Sequence, residues 1–297
     1  MATNTAARRT ERHGTATSHP SRLTKPLIRR NGALVEVTWE EALLFVAEQT
    51  NRLKLAHGPQ AFGGLISSRC TNEELYLFQK FMRLTIGTNN LDSSARYGHL
   101  NGVQAMKRVQ GTHRWTVTFE DIVQADVLLL VGTNITETNP ITGLQIKEAV
   151  KKYVATLLTI EALQPAIGTI SNITNLSQQH LCVAPSQFGS TVLGLLKAVV
   201  EGNHVEGTLQ QRASDYVSAV SQSVQQLSWD ELALHTGISR ESFAQMAATL
   251  VGGRRVVVLA GQTLLRHQGG YGICLNLLDL LLLTGKLTET GCGFAPL

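Results

Sequence analysis

The segment Gly132-Thr133-Asn134-Ile135-Thr136-Glu137-Thr138-Asn139-Pro140 is the part of this chain best suited to hold a ligand. An apolar run, Val127–Val131, precedes it, and a helical pattern over residues 141–152 follows. In a parallel sheet, ligands bind beyond the carboxyl ends of the strands. A glycine there lets backbone approach a ligand, and free N–H groups at a helix start favour phosphate. Pro140 suits the first helical position, where its missing N–H costs nothing. The spacing is not GxGxxG, so the standard nicotinamide fingerprint is absent and a plain structural turn stays open.

Other reactive residue types are scattered. Arg69 and Arg96 are able to pair with phosphate, or with ordinary carboxylates. Cys70 precedes a helix start, where a thiol pKa falls; an inert thiol is the plainer reading. Cys182, Cys274 and Cys292 are far apart, and no CxxC or Cys/His spacing supports zinc or an iron–sulfur cluster. His113, His180, His235 and His267 form no pair with metal-ligand spacing. No nucleophile-elbow motif is present for a Ser/His/Asp triad. The amide-rich stretch 167–175 either lines a binding site or satisfies its own backbone.

The elements that must position these residues announce themselves. Thr38-Trp39-Glu40-Glu41, Thr71-Asn72-Glu73-Glu74 and Ser228-Trp229-Asp230-Glu231 each read as a capping box. They open helices to about residue 56, to about residue 86 and over a short stretch near the C-terminal third. Apolar runs of strand length cover residues 61–66, Val127–Val131, 155–160 and Val256–Ala260. Their few polar residues suit strands covered on both faces. Strands alternating with helices predict an α/β fold: a three-layer, mainly parallel sheet with helices on both faces.

The chain has 297 residues, enough for one large or two medium domains. Its formal net charge of +4 is concentrated at the start, where residues 1–30 hold seven basic side chains against Glu11. The body is therefore near neutral, and no basic stripe marks a nucleic-acid partner. Residues 1–21 read as a disordered basic tail without the apolar stretch of a secretory signal. The apolar run at 275–283 contains Asn276 and Asp279 and is too short to span a bilayer. Scattered cysteines favour a reducing compartment, so the expected location is the cytoplasm. Residues 22–297 form the folded region, with soft internal boundaries near 113–125 and 202–240.

Several segments together resemble the formate dehydrogenase α subunits and related molybdopterin oxidoreductases. Arg22-Leu23-Thr24-Lys25-Pro26-Leu27-Ile28-Arg29-Arg30, then Val37-Thr38-Trp39-Glu40-Glu41-Ala42-Leu43, is similar to the family's opening. Ser67-Ser68-Arg69-Cys70-Thr71-Asn72-Glu73-Glu74 and Gly87-Thr88-Asn89-Asn90-Leu91-Asp92 follow in family order, as does Leu282-Leu283-Thr284-Gly285-Lys286. The resemblance implies that the 132–140 loop holds the phosphates of molybdopterin guanine dinucleotide, with Arg69, Gly132, Thr133, Asn134, Glu137 and Pro140 as binding residues. His99 matches the family's active-site histidine, which assists proton transfer near the metal.

The departures are as informative. Gly98 stands where the family has a cysteine or selenocysteine metal ligand, so no thiolate comes from this position and no metal ligand is assigned. Ile160-Glu161-Ala162-Leu163-Gln164-Pro165 replaces the family's Asp-Pro-Arg. Glu161 is left to accept from guanine or ribose. The family's four-cysteine [4Fe–4S] domain and its closing C-terminal domain have no counterpart in this sequence, so no iron–sulfur cluster is expected in this chain. The implied function is that of a subunit in a redox complex, not catalytic alone. Its partners would be iron–sulfur electron-transfer subunits and a chain supplying the C-terminal domain. The competing expectation is a cofactor-free scaffold, similar to the large iron–sulfur subunit of respiratory complex I in NADH dehydrogenase.

Overall fold

The computed structural model describes residues 19–162 and 173–297. Residues 1–18 of the basic tail, residues 163–165 of the replaced Asp-Pro-Arg stretch and residues 167–172 of the amide-rich stretch lie outside them. The chain divides into two compact units at Asp92/Ser93. Neither stretch expected as a soft boundary, 113–125 or 202–240, coincides with that division.

The first unit opens with an antiparallel hairpin, β1 (Leu27–Arg30) and β2 (Ala33–Glu36). Its two turn residues, Asn31 and Gly32, both have positive φ, 49° and 83°, the combination a tight two-residue hairpin requires. Helix α1 (Trp39–His57) starts at Thr38, whose hydroxyl accepts from the Glu41 N–H. The reciprocal half of that capping box is not made: the Glu41 carboxylate pairs with Arg30 instead. At α2 (Asn72–Lys80) both halves form, Thr71 Oγ1 with the Glu74 N–H and Glu74 Oε2 with the Thr71 N–H. The helix continues to Ile86 as a π-helical turn, closed by Gly87 at φ 91°. The strand expected over residues 61–66 shortens to β3 (Gly64–Ile66), because Pro59–Ala61 coils into a 3₁₀ turn. Leu65 is 82% exposed, which corrects the expectation of a strand covered on both faces. β3 pairs with β4 (Leu91–Ser93).

The second unit is built on a five-stranded, all-parallel sheet. Its strands are β5 (Val127–Val131), β6 (Thr156–Ala162), β7 (Gln179–Val183), β8 (Val256–Ala260) and β9 (Gly293–Pro296), in the order β7-β6-β5-β8-β9. The β5 and β8 runs are wholly buried and their side chains alternate between two cores. Val127, Leu129 and Val131 join Val256, Val258 and Ala260 on one face; Leu128 and Leu130 join Val257 and Leu259 on the other. Period-two alternation with both faces apolar is what a sheet between helical layers demands.

The first face is covered by α3 (Leu100–Gln110), α5 (Phe188–Glu201), α6 (Ser214–Gln225), α8 (Arg240–Gly252) and the leucine-rich α9 (Gly270–Leu283). The second is covered by α4 (Pro140–Lys152) and the short turn Phe119–Val123. A further short helix, α7 (Trp229–Thr236), follows Ser228 as expected. The unit is therefore a three-layer α/β fold. One polar pair sits inside the first layer: Tyr216 on α6 donates 2.6 Å to Asp279 on α9. Burial holds the Asp279 carboxyl above its ordinary value, and burial first, then this partner, raises the Tyr216 phenol.

Candidate functional site

Strand order reverses beside β5. The chain passes outward through β6 to β7, then returns across the sheet to β8 and β9. Open α/β sheets bind ligands at such a switch point, outside the carboxyl ends of the strands. Here two matching turns meet there, since Val131 and Ala260 end their strands in register and each is followed by glycine.

Gly132 lies at φ 64°, and a Cβ on it would sit 3.0 Å from the Leu264 backbone nitrogen. Gly261 approaches closer still. Its Cβ would lie 2.2 Å from Thr133 Cβ and 2.4 Å from the Gly132 carbonyl oxygen. The turns are tied by hydrogen bonds: Gly261 N–H donates to the Val131 carbonyl (2.8 Å) and Thr263 N–H to the Gly132 carbonyl (3.2 Å). Only residues without side chains allow backbones this near.

Thr133 is buried, and its hydroxyl oxygen has no hydrogen-bond partner. An orphaned buried hydroxyl is rare enough to mark a place where a ligand completes the bonding. Asn134 serves its own turn, its Oδ1 accepting from Thr136 Oγ1 (3.2 Å) and its carbonyl from Thr138 Oγ1 (3.2 Å). Glu137 lies exposed on the helical turn Ile135–Thr138, and Pro140 is the first residue of α4 as expected. Glu161 sits near the carboxyl end of β6, where both its oxygens accept from Thr174 Oγ1, at 3.0 and 2.9 Å. An acid at the end of the strand beside the switch point suits a ribose hydroxyl.

Gly98 and His99 reach the same end of the sheet by way of α3. Asn101 Nδ2 donates 2.8 Å to the Leu265 carbonyl, and Gly102 is pressed against Pro296 of β9, where a Cβ would lie 2.4 Å from the proline ring. These contacts seat the preceding turn, Ala95–Gly98, against the segment that follows β8. A Cβ on the buried Gly98 would find the Arg266 guanidinium and the Gln262 carboxamide, each at 3.6 Å. That is ordinary contact, and the backbone there is not in the left-handed region. His99 is half-buried, which pulls its pKa below the ordinary histidine value and favours the neutral ring. Arg69 belongs to the first unit, exposed, with its N–H on Ser67 Oγ (3.1 Å).

Gln262, Arg266 and Gly261 were not singled out from sequence. One signal was available: the glycine after Val256–Ala260 repeats the glycine after Val127–Val131. His180, one of the scattered histidines, is a structural partner of Thr159, Nδ1 to Oγ1 at 2.8 Å. Among the described residues no cluster of histidine, cysteine or carboxylate side chains suits a metal ion, and no helix is long and apolar enough to cross a membrane.

Residues 22–297 match the sequence profile of the molybdopterin oxidoreductase family. Over 93% of its length the chain is 33% identical to a probable oxidoreductase of Bacillus subtilis, YjgC, and 30% identical to a putative formate dehydrogenase, YrhE, of the same organism. It is 26% identical to the alpha subunit of a formate dehydrogenase from Methanocaldococcus jannaschii. The chain spans 27%, 28% and 39% of these three proteins respectively. In fold it is similar to the acetylene hydratase of Pelobacter acetylenicus, with a TM-score of 0.75 over 94% of this chain and 38% of that one, at 16% identity.

Proposed function

The chain belongs to the molybdopterin oxidoreductase family and is formate dehydrogenase-like, and from that premise we propose that it serves as a redox-complex subunit. Its switch-point turns would hold a molybdopterin guanine dinucleotide, and it does not catalyse alone. The observation that carries this reading is the buried Thr133 hydroxyl without a partner, in a glycine turn beyond the carboxyl end of β5. That donor fits a phosphate oxygen. Thr133 would donate to it, and the backbone from Gly132 through Asn134 would line its path. Glu161, oriented by Thr174, would accept from a ribose or guanine donor. Glu137 and Pro140 complete the proposed set on this unit, and Arg69 of the first unit is a separate phosphate candidate.

When bound, the cofactor supplies two-electron transfer at its metal, the chemistry of formate oxidation in the relatives' names. This chain's part is narrower. His99, neutral in its half-buried place, is able to take up a proton, and Gly98 offers no ligand atom. Arg266 and Gln262 border the space a ligating side chain would use. Electrons would leave through iron–sulfur partner subunits, and another polypeptide region would close the far side of the cofactor. The reading keeps the cytoplasmic placement expected from the sequence.

A second reading, a cofactor-free scaffold within an electron-transfer complex, is favoured by the glycine at position 98 itself. Metal analysis with pterin fluorescence after acid extraction, on the chain purified with its partners, separates the two. Metal and pterin present together support the cofactor-bound subunit. Both blank in the intact complex refute it in favour of the scaffold.

A further inference from the structure

At the end of the sheet opposite the glycine turns, Arg254 and Arg255 lead into β8. Together with the residues that follow α9 they border an open bowl of about 470 Å³, lined by Glu206, Arg254, Arg255, Lys286, Glu289 and Thr290 among others. Its three basic side chains outnumber its two acidic ones, Glu206 and Glu289. Glu206 is spent locally: its two oxygens accept from the Thr208 N–H (2.8 Å) and the Leu209 N–H (2.6 Å), which hold its carboxyl below the ordinary range. Asp126, outside the bowl, accepts the backbone N–H groups of Arg254 (3.1 Å) and Arg255 (2.9 Å), and among the described residues Glu289 makes no ion pair with either guanidinium. Arg255 Nη1 rests on a neutral partner, Gln124 Oε1, at 2.5 Å. Among the described residues no carboxylate forms an ion pair with the side chain of Arg254 or Lys286.

The bowl is also shaped by backbone. Gly285 (φ 72°) turns the chain after α9, and a Cβ there would strike Glu206 Cγ at 2.8 Å. Gly291 (φ 78°) lets Arg255 lie flat against the strand entry, its Cδ 3.3 Å from where a Cβ would stand. Two left-handed glycines thus let backbone pass close to Glu206 and to Arg255 at the edge of this space. No aromatic side chain lines it, so there is no platform for a base.

We infer that this bowl binds a compact, multiply charged oxyanion of the diphosphate class, held by Arg254, Arg255 and Lys286. Guanidinium and ammonium groups together suit phosphate oxygens, and the free Thr290 hydroxyl adds a donor. The site is separate from the proposed cofactor turns, so its test does not depend on them.

Isothermal titration of the full chain with inorganic diphosphate at low salt reads it directly. Binding is expected, weakened about tenfold by Lys286→Gln and by Arg254→Gln, as for loss of one charge-assisted contact, and tightened by Glu289→Gln. Thr133→Val leaves it unchanged. Lys286, Arg254 and Glu289 are exposed or half-exposed, so their variants keep the fold. Failure of diphosphate to bind, or equal binding by the Lys286 and Arg254 variants, overturns the site. Loss of binding in Thr133→Val moves the anion to the glycine turns and overturns it as well. ADP binding as tightly as diphosphate supports the compact-anion class, and ADP binding much more tightly overturns it.

Discussion

Replacing Gly261 by alanine tests whether the two switch-point turns meet as closely as described. The added methyl would lie 2.2 Å from Thr133 Cβ, 2.4 Å from the Gly132 carbonyl and 2.6 Å from Thr133 Cα. Two of these three are backbone atoms, which cannot rotate away, so β5 and β8 must part at their carboxyl ends. Forcing a methylene into a packed core costs about 1–3 kcal/mol, and a backbone clash belongs at the upper end, about 3 kcal/mol. In a unit of this size each kcal/mol moves Tm by about 2–4 °C, so a fall of about 6–12 °C is expected by calorimetry. Gly272→Ala is the matched control, because Gly272 is exposed on α9 with nothing within 4 Å of its absent Cβ. There alanine removes a helix-interior glycine and raises stability by about 0.5–1 kcal/mol. A Gly261→Ala protein with a Tm at or above that of the wild type would refute the contact. So would variants that shift Tm in the same direction.

Four further outcomes follow. Gly98→Cys is accommodated with a Tm close to that of the wild type, and its thiol ionises below the usual value of about 8.5 beside Arg266. Alkylation rate against pH measures this, and Arg266→Gln must raise the pKa again. Tyr216→Phe leaves the half-buried Asp279 carboxyl without its donor and costs about 1–3 kcal/mol in chemical denaturation; an unchanged midpoint refutes that bond. Asp279 has a raised folded pKa, so its contribution to stability is complete below the unfolded carboxylate value and is lost as pH rises through the folded one. Asp279→Asn therefore flattens the decline in stability above about pH 4. His99 has a lowered folded pKa, so its contribution is present above the unfolded histidine value and lost as pH falls below it. His99→Gln flattens that acid-side loss, and an NMR titration of His99 midway above pH 6.5 would contradict the burial argument.

Much of the architecture was legible where one local force dominated. Val127–Val131 and Val256–Ala260 are strands because no polar residue interrupts them, and Pro140 opens α4 because its ring suits only that place. The edge strands were less visible. β7 reads Gln-His-Leu-Cys-Val, with polar residues alternating outward, and β9 ends on a proline, which argues against a strand except at an edge. Asn31-Gly32 is a hairpin signal carried by only two residues. At the site, the 132–140 loop was readable from strand, glycine and proline together. The approach of Gln262 and Arg266 to Gly98 was not, since it depends on α3 docking through Asn101 and Gly102 to segments far along the chain. Nor does sequence show that Thr133 is left without a partner, because that depends on everything around it.

The strand order carries a consequence for how the protein is made. β5, β6 and β7 are neighbours in sequence and in space, so three of the five strands are able to pair as soon as residue 183 has emerged. The partner on the other side of β5 arrives only with Val256–Ala260. Closing so long a loop is entropically slow compared with pairing adjacent elements. Until then β5 presents an open, wholly apolar edge. The pairing that brings the two glycine turns together thus waits for Val256–Ala260, and until it forms the nascent chain is at its most aggregation-prone.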